Sequence, residues 1–289
     1  MTTPARLRTY THAGLTFDVL DDGPLDGPIV VLLHGFPQSA SSWEPTARLL
    51  RERGYRTIAP DQRGYSPGAR PRGRWAYRTS LLVDDVVALI DTLGGRPVHL
   101  AGHDWGAVVA WSLAAARPEL VRTLTSVSVP HPAAFLRSML SSDQALKSWY
   151  MAVFQVPWVP ERVVARNPAL LERMLERAGM DADAVAEVRR TVVDGGAFGA
   201  GLNWYRAMAL GSPDALRRKV SVPTTHVWGD RDIALARRGA ELAEHYVTGP
   251  YRFEHLAGAG HWIPEQNAER LAEIITARIT DAQEADAPR

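Results

Sequence analysis

The 289-residue chain contains no cysteine. Disulfides, thiolate nucleophiles and cysteine-based metal centres are therefore excluded. An excess of charge of one sign is missing too. The chain has 33 basic side chains against 32 acidic ones, a formal net charge of +1. That balance gives no electrostatic reason to expect nucleic acid or an anionic membrane as partner. No uncharged apolar run approaches the ~20 residues needed to cross a bilayer. Met1 to Thr11 lacks the apolar core of a secretory leader, so a cytoplasmic location is expected. Metal-ligand spacings and dinucleotide-binding glycine patterns are also wanting, and neither metal nor cofactor is expected. What is present, 46% hydrophobic and 22% charged residues, can build one large core, or a core with a smaller appended unit.

Apolar runs alternate with helical spacing in the first half of the chain. Ile29 to Leu33 is continuously apolar, as a parallel strand covered on both faces would be. Strands are expected at Leu15 to Leu20, Tyr55 to Ala59 and Leu120 to Val129, and helices at Ser41 to Arg53 and Leu81 to Leu93. Between Pro130 and about Val220 the strand pattern disappears. Helical stretches follow one another there, at Ala133 to Leu140, Ala145 to Phe154, Pro160 to Arg166, Ala169 to Ala178 and Asp183 to Val193. Alternation resumes with a strand at Thr224 to Trp228, a helix at Ala234 to His245, a strand at Tyr251 to Leu256 and a helix from Pro264 to about Ile279. The alanine-rich tail from Thr280 is expected to fray. The fold class read from this pattern is α/β, interrupted by a helical insertion, with core residues 1–132 and 219–289 and insertion residues 133–218.

Chemistry enters at Asp104. The segment from Pro97 to Gly106 reads as a short apolar strand running into a glycine-flanked turn, with a helix expected from Ala107. This is the setting of a nucleophile elbow, with Gly-x-Asp-x-Gly where Gly-x-Ser-x-Gly is usual. A carboxylate there can attack an electrophilic sp3 carbon and become an ester itself. Hydrolysing that ester needs a base near neutral pH, and His261, in the glycine-rich loop after the last strand, supplies one. An acid must orient the histidine. Asp230 and Asp232 both follow the strand ending at Trp228, and both are candidates. His34-Gly35-Phe36-Pro37 follows the central strand without a spacer, so the backbone N–H groups of Phe36 and Trp105 are candidate donors to the developing oxyanion.

The leaving group decides the substrate class. An alkoxide released from an epoxide needs a proton donor, which a neutral tyrosine provides, whereas a halide needs only N–H donors such as the Trp105 indole. Tyr150 and Tyr205 both lie in the insertion expected to cover the nucleophile. The aromatic residues of that block, Trp149, Phe154, Trp158, Phe198 and Trp204, suit an apolar substituent, although any one of them could equally fill a helical core.

From about Arg8 to Ile279 the chain resembles the α/β-hydrolase superfamily, and within it the epoxide hydrolases. His34-Gly35-Phe36-Pro37-Gln38 resembles the oxyanion motif, and Asp61-Gln62-Arg63-Gly64-Tyr65 the loop that follows, with Ser66 replacing the usual glycine. Gly102-His103-Asp104-Trp105-Gly106 resembles the nucleophile motif, Trp228-Gly229-x-x-Asp232 the acid motif and Gly260-His261-Trp262 the histidine motif. Leu202 to Arg206 is similar to a cap motif whose tyrosine activates the epoxide, and Tyr150 matches the second such tyrosine.

The resemblance implies an eight-stranded, mostly parallel sheet with helices on both faces and a helical cap. It prefers Asp232 to Asp230, and it implies two steps: alkylation of Asp104, then hydrolysis by His261 and Asp232. Trp105, Phe36, Pro37, Trp149, Phe154 and Trp204 are the expected substrate contacts. A small apolar epoxide and water are the expected partners, with the protein a monomer or homodimer. Haloalkane dehalogenases share the same three catalytic positions, but often carry an asparagine ligand where this chain has Phe36. Fluoroacetate dehalogenases pair the nucleophile with carboxylate-binding arginines, a pattern from which Trp105 departs. A binding protein on the same fold would be expected to lose one of the three catalytic groups.

Overall fold

The computed structural model describes residues 5–286; residues 1–4 and 287–289, which include the end of the tail expected to fray, lie outside the described residues. Eight strands form one sheet: β1 (Thr9–His12), β2 (Leu15–Asp22), β3 (Ile29–Leu33), β4 (Arg56–Pro60), β5 (Val98–His103), β6 (Val121–Val127), β7 (Thr224–Gly229) and β8 (Tyr251–Leu256). Their order is β1-β2-β4-β3-β5-β6-β7-β8, with β2 antiparallel to both neighbours and every later pairing parallel. Burial follows from the residues. Strand β2 alternates exposed and buried positions, as a half-covered antiparallel strand should, while β5 is buried throughout.

Successive side chains of the central strands enter different cores. Val31, Leu33 and Leu100 pack on one face with α2 (Thr79–Thr92) and α3 (Trp105–Ala116). Val30, Leu32 and Ala101 pack on the other with α1 (Glu44–Glu52) and the C-terminal helices, where Trp43 and Leu50 meet Leu271 and Ile275. This two-residue period fixes the register, because a one-residue slip would exchange the two cores. Between β6 and β7 stands the helical insertion: α4 (Pro132–Ser141), α5 (Gln144–Lys147), α6 (Trp149–Gln155), α7 (Val159–Arg166), α8 (Pro168–Arg177), α9 (Ala182–Val188), α10 (Phe198–Ala207) and α11 (Pro213–Arg217). The core closes with α12 (Arg237–Leu242), α13 (Ile263–Gln266) and α14 (Ala268–Asp286). No helix among the described residues is long and apolar enough to cross a membrane.

Three local expectations change. The single helix expected at Ala145 to Phe154 is broken at Ser148, whose hydroxyl accepts a hydrogen bond from Gln144 Nε2 at 2.9 Å. The helix ending at Val193 passes after Val188 into a wider π turn, Arg189–Asp194, before two glycines stop it. The tail expected to fray from Thr280 instead extends α14 to Asp286, because Ile279 and Ala282 are buried and alanine favours helix.

A buried ion pair ties the loop after β4 to α2. Arg63 donates Nε and Nη2 to the two oxygens of Asp85, each at 2.7 Å, and His12 Nδ1 lies 2.7 Å from Asp85 Oδ1. Removing one partner strands the other charge in the interior. Asp85→Ala is expected to destabilise the protein by about 3–5 kcal/mol, whereas Asp84→Ala, on the exposed side of the same turn, should cost no more than about 0.5 kcal/mol. Urea unfolding at unchanged m value reads the difference; equal midpoints for the two variants would contradict it.

Candidate active site

The nucleophile position is set by backbone strain. At the end of β5, Asp104 adopts φ +52° and ψ −120°, a conformation rarely open to a residue with a Cβ and costing on the order of 1–3 kcal/mol. The strain is held by close packing of glycines. A Cβ on Gly106 would meet the carbonyls of Leu33 and His34, one on Gly102 would meet the carbonyl of Gly106, and one on Gly35 would meet the Asp104 side chain. Helix α3 starts at Trp105 rather than Ala107, because the Asp104 carbonyl already accepts from Ala107 and Val108 N–H at 3.0 and 3.3 Å.

The histidine and its acid converge on this turn from the ends of β8 and β7. His261 Nδ1 lies 2.8 Å from Asp232 Oδ2, and His261 Nε2 lies 3.7 Å from Asp104 Oδ2. Gly229 lets the strands' ends approach, since a Cβ there would strike the Ala259 and Gly260 carbonyls. The second oxygen of Asp232 accepts from the N–H groups of Ala234 and Leu235 at 2.8 and 2.9 Å. Asp230 takes no part. It is exposed, accepts from Gly258 N–H at 2.7 Å and faces His255.

Electrostatics follow from this arrangement. Burial pushes the Asp104 carboxyl up, partly offset by His261 and by the N–H groups of Phe36 and Trp105. Burial also pushes Asp232 up, but the His261 charge and hydrogen bond, with the two backbone N–H groups, outweigh it and leave Asp232 below the usual carboxylate range. Burial works against a charged His261, yet Asp232 and Asp104 together raise it above an ordinary imidazole. The result is a carboxylate facing a histidine that can carry a proton, with a second carboxylate locked behind it. Phe36 N–H donates to Asp104 Oδ1 at 2.8 Å, so one expected oxyanion donor already bonds the carboxylate.

A cavity of about 700 Å³ opens over Asp104, with Trp105, Tyr150 and Tyr205 in its wall. The two phenol rings stand 6.1 Å apart, nearly perpendicular, and Tyr205 packs edge-on to Trp105 at 5.0 Å. Burial raises both phenols, helped by the negative charge of Asp104, so each keeps its proton.

Other expected substrate contacts fall behind this wall. Phe36 and Phe154 pack against Tyr205 at 5.3 and 5.0 Å and support it from the rear, and Pro37 is buried after Phe36. Trp204 is fully buried; its indole N–H donates to the Arg63 carbonyl at 2.8 Å, so it joins cap to core instead of touching substrate. Trp149 is 61% exposed and turns outward, which removes it from the expected contacts. The helical spacing that placed it near Tyr150 does not say which face looks inward.

Several residues with no recognisable motif complete the site. Lys147 Nζ donates to the Asp232 carbonyl at 2.9 Å, and Gln144 bonds both the Ala234 carbonyl and the Ala236 N–H, so α5 of the cap clamps the acid's turn. His103 Nε2 lies 2.9 Å from the His261 carbonyl; burial and the nearby His261 charge push this imidazole down to about 3, so it is a neutral strut for the histidine loop. The Tyr65 hydroxyl is buried without a hydrogen-bond partner among the described residues. Polar residues at positions 144 and 147 on an otherwise ordinary helix are the one trace these contacts leave in the sequence.

The comparisons agree with this geometry. A family model for the alpha/beta hydrolase fold matches residues 28–268. The chain is 36% identical to the AB hydrolase superfamily protein YfhM of Bacillus subtilis, covering 91% of this chain and 93% of that one. It is 33% identical to Epoxide hydrolase 2 of Caenorhabditis elegans, covering 94% of this chain and 80% of the relative. Among solved structures, Epoxide Hydrolase A from Mycobacterium thermoresistibile superposes with a TM-score of 0.81 at 28% identity, covering 95% of this chain and 98% of that one. The chain belongs to the α/β-hydrolase fold family and, within it, to the epoxide hydrolases.

Proposed function

We propose that the protein hydrolyses an apolar epoxide to a vicinal diol by way of an ester on Asp104. The observation that carries this reading is that Asp104 and two protonated phenols, Tyr150 and Tyr205, line one cavity. Asp104 attacks a ring carbon, its C–O bond forms, and the ring C–O bond on the opposite side breaks. The phenols hydrogen-bond the departing oxygen and supply its proton. His261 then takes a proton from water, and the hydroxide so formed adds to the carbonyl carbon of the ester. Phe36 N–H, 2.8 Å from Asp104 Oδ1, and the Trp105 N–H stabilise the resulting oxyanion. It collapses, the ester C–O bond breaks, and the departing diol oxygen takes the proton of the added hydroxyl. The proton on His261 returns to the phenolate, regenerating both groups. Asp232 stabilises the imidazolium meanwhile.

Expulsion of a halide is the weaker reading. It would draw on the Trp105 indole, whose ring packs edge-on against Tyr205 at 5.0 Å. The triad is the same for both substrates, so the phenols carry the distinction. The working form proposed is a cytoplasmic monomer or homodimer that needs water and no cofactor.

Two experiments test the reading. Tyr205→Phe is expected to slow ester formation by about 10²-fold or more while slowing ester breakdown far less, as followed by rapid quench and intact mass. Asp232→Asn should do the reverse and let the ester on Asp104 accumulate; equal slowing of both steps in either variant argues against these roles. The pH profile gives a separate check. Asp104 attacks as the anion, and burial raises its carboxyl, so the acid limb of kcat/KM should lie above the ordinary carboxylate value of about 3.9. A limb at or below that value would contradict the buried nucleophile.

A further inference from the structure

The cavity is much larger than a three-membered ring needs, and its far walls are not uniformly apolar. Trp105, Val108, Ser112 and Ala116 line it from one face of α3, so it follows that helix for ~16 Å. Val83 and Val87 of α2 form the facing wall. An apolar body can lie along this groove.

Three arginines also reach the cavity, against one carboxylate besides the nucleophile, Asp84. Arg117 is neutralised by Glu119, its Nε 2.5 Å from Glu119 Oε1. Arg218 is exposed on the rim. Arg78 differs from both. It is half-buried, its Nε–H is shielded from solvent without an acceptor, and it forms no ion pair among the described residues. Its guanidinium carbon sits 6.0 Å from the Trp75 ring. Protein covers the Nε–H, so the Nη groups are the part of Arg78 that a ligand in the cavity can meet, and a carboxylate is the acceptor that fits an unpaired guanidinium best.

Position narrows the ligand further. Arg78 immediately precedes α2, and Asp104 immediately precedes α3. The two helices pack against each other, with axes typically ~8–10 Å apart in such pairs, and the residues at their starts line one cavity. Asp84, exposed at the cavity edge further along α2, repels an anion placed near it, which leaves the neighbourhood of Arg78 as the place for one.

Resting on the hydrolase reading, and narrowing its apolar epoxide to one that carries a single charged group, we infer that the substrate bears a carboxylate a few bonds from the ring. Arg78 holds the carboxylate while the ring faces Asp104, and the apolar remainder lies along α3. Arg78 is thus a specificity-determining residue.

The test uses the intact protein with a series of terminal epoxides carrying a carboxylate at increasing spacing, each paired with its methyl ester. The wild type should prefer the acid at one spacing by about tenfold or more in kcat/KM, the amount one charge-assisted contact supplies. Arg78→Gln should lower kcat/KM for the acid about tenfold more than for its ester, Arg78→Lys should restore part of the preference, and added salt should shrink it. Turnover of esters without any preference for an acid, or a preference untouched by Arg78→Gln, overturns this inference and leaves epoxide hydrolysis standing. Failure of the wild type to open any epoxide overturns both.

Discussion

The left-handed turn at Asp104 is the constraint on which the rest of the molecule depends. One residue held at φ +52° aims its carboxylate away from the sheet and lets α3 begin at the next position. That conformation survives because three glycines, Gly35, Gly102 and Gly106, let the ends of β3 and β5 and the start of α3 pack closer than any Cβ would permit. The same closeness brings the Phe36 N–H to the carboxylate. Nucleophile and oxyanion donor are therefore products of one packing solution, and neither can move without the other.

Around that turn the protein assembles charge in a graded order. Asp232 is satisfied by two backbone N–H groups and a histidine, so it stays ionised despite complete burial. Asp104 has weaker compensation and is left the more basic of the two. Two similar carboxyl groups thus serve as nucleophile and as fixed counter-charge, distinguished by how fully the His261 charge and the N–H donors offset the burial of each. The phenols opposite are kept neutral by the same enclosure that raises the nucleophile.

Much of this was legible in the sequence, for identifiable reasons. A continuous apolar run marks Ile29–Leu33 as a strand covered on both faces, and the bounds of that strand and of the more polar edge strand Tyr251–Leu256 agree with the reading from sequence. Asp104 and His261 stand in glycine-rich turns with short, fixed spacings, which is why they could be named. Contacts made across the chain left no such mark. Nothing local says that Trp149 turns outward while Tyr150, its neighbour, lines the cavity, because two adjacent residues of a short helix differ only in which face the tertiary packing selects. The break at Ser148 depends on Gln144, and the grip of Lys147 on Asp232 spans 85 positions. The terminal helix outlasted its expected end because burial of Ile279 overrides a polar composition.

The clamp made by α5 has a consequence for how molecules come and go. Since Lys147 and Gln144 fasten that shoulder of the lid to the turn bearing Asp232, lifting it would loosen the general base at the same moment. Opening at that shoulder and proton transfer by His261 are therefore mechanically coupled, and a motion of the lid that keeps the base in place must leave α5 seated.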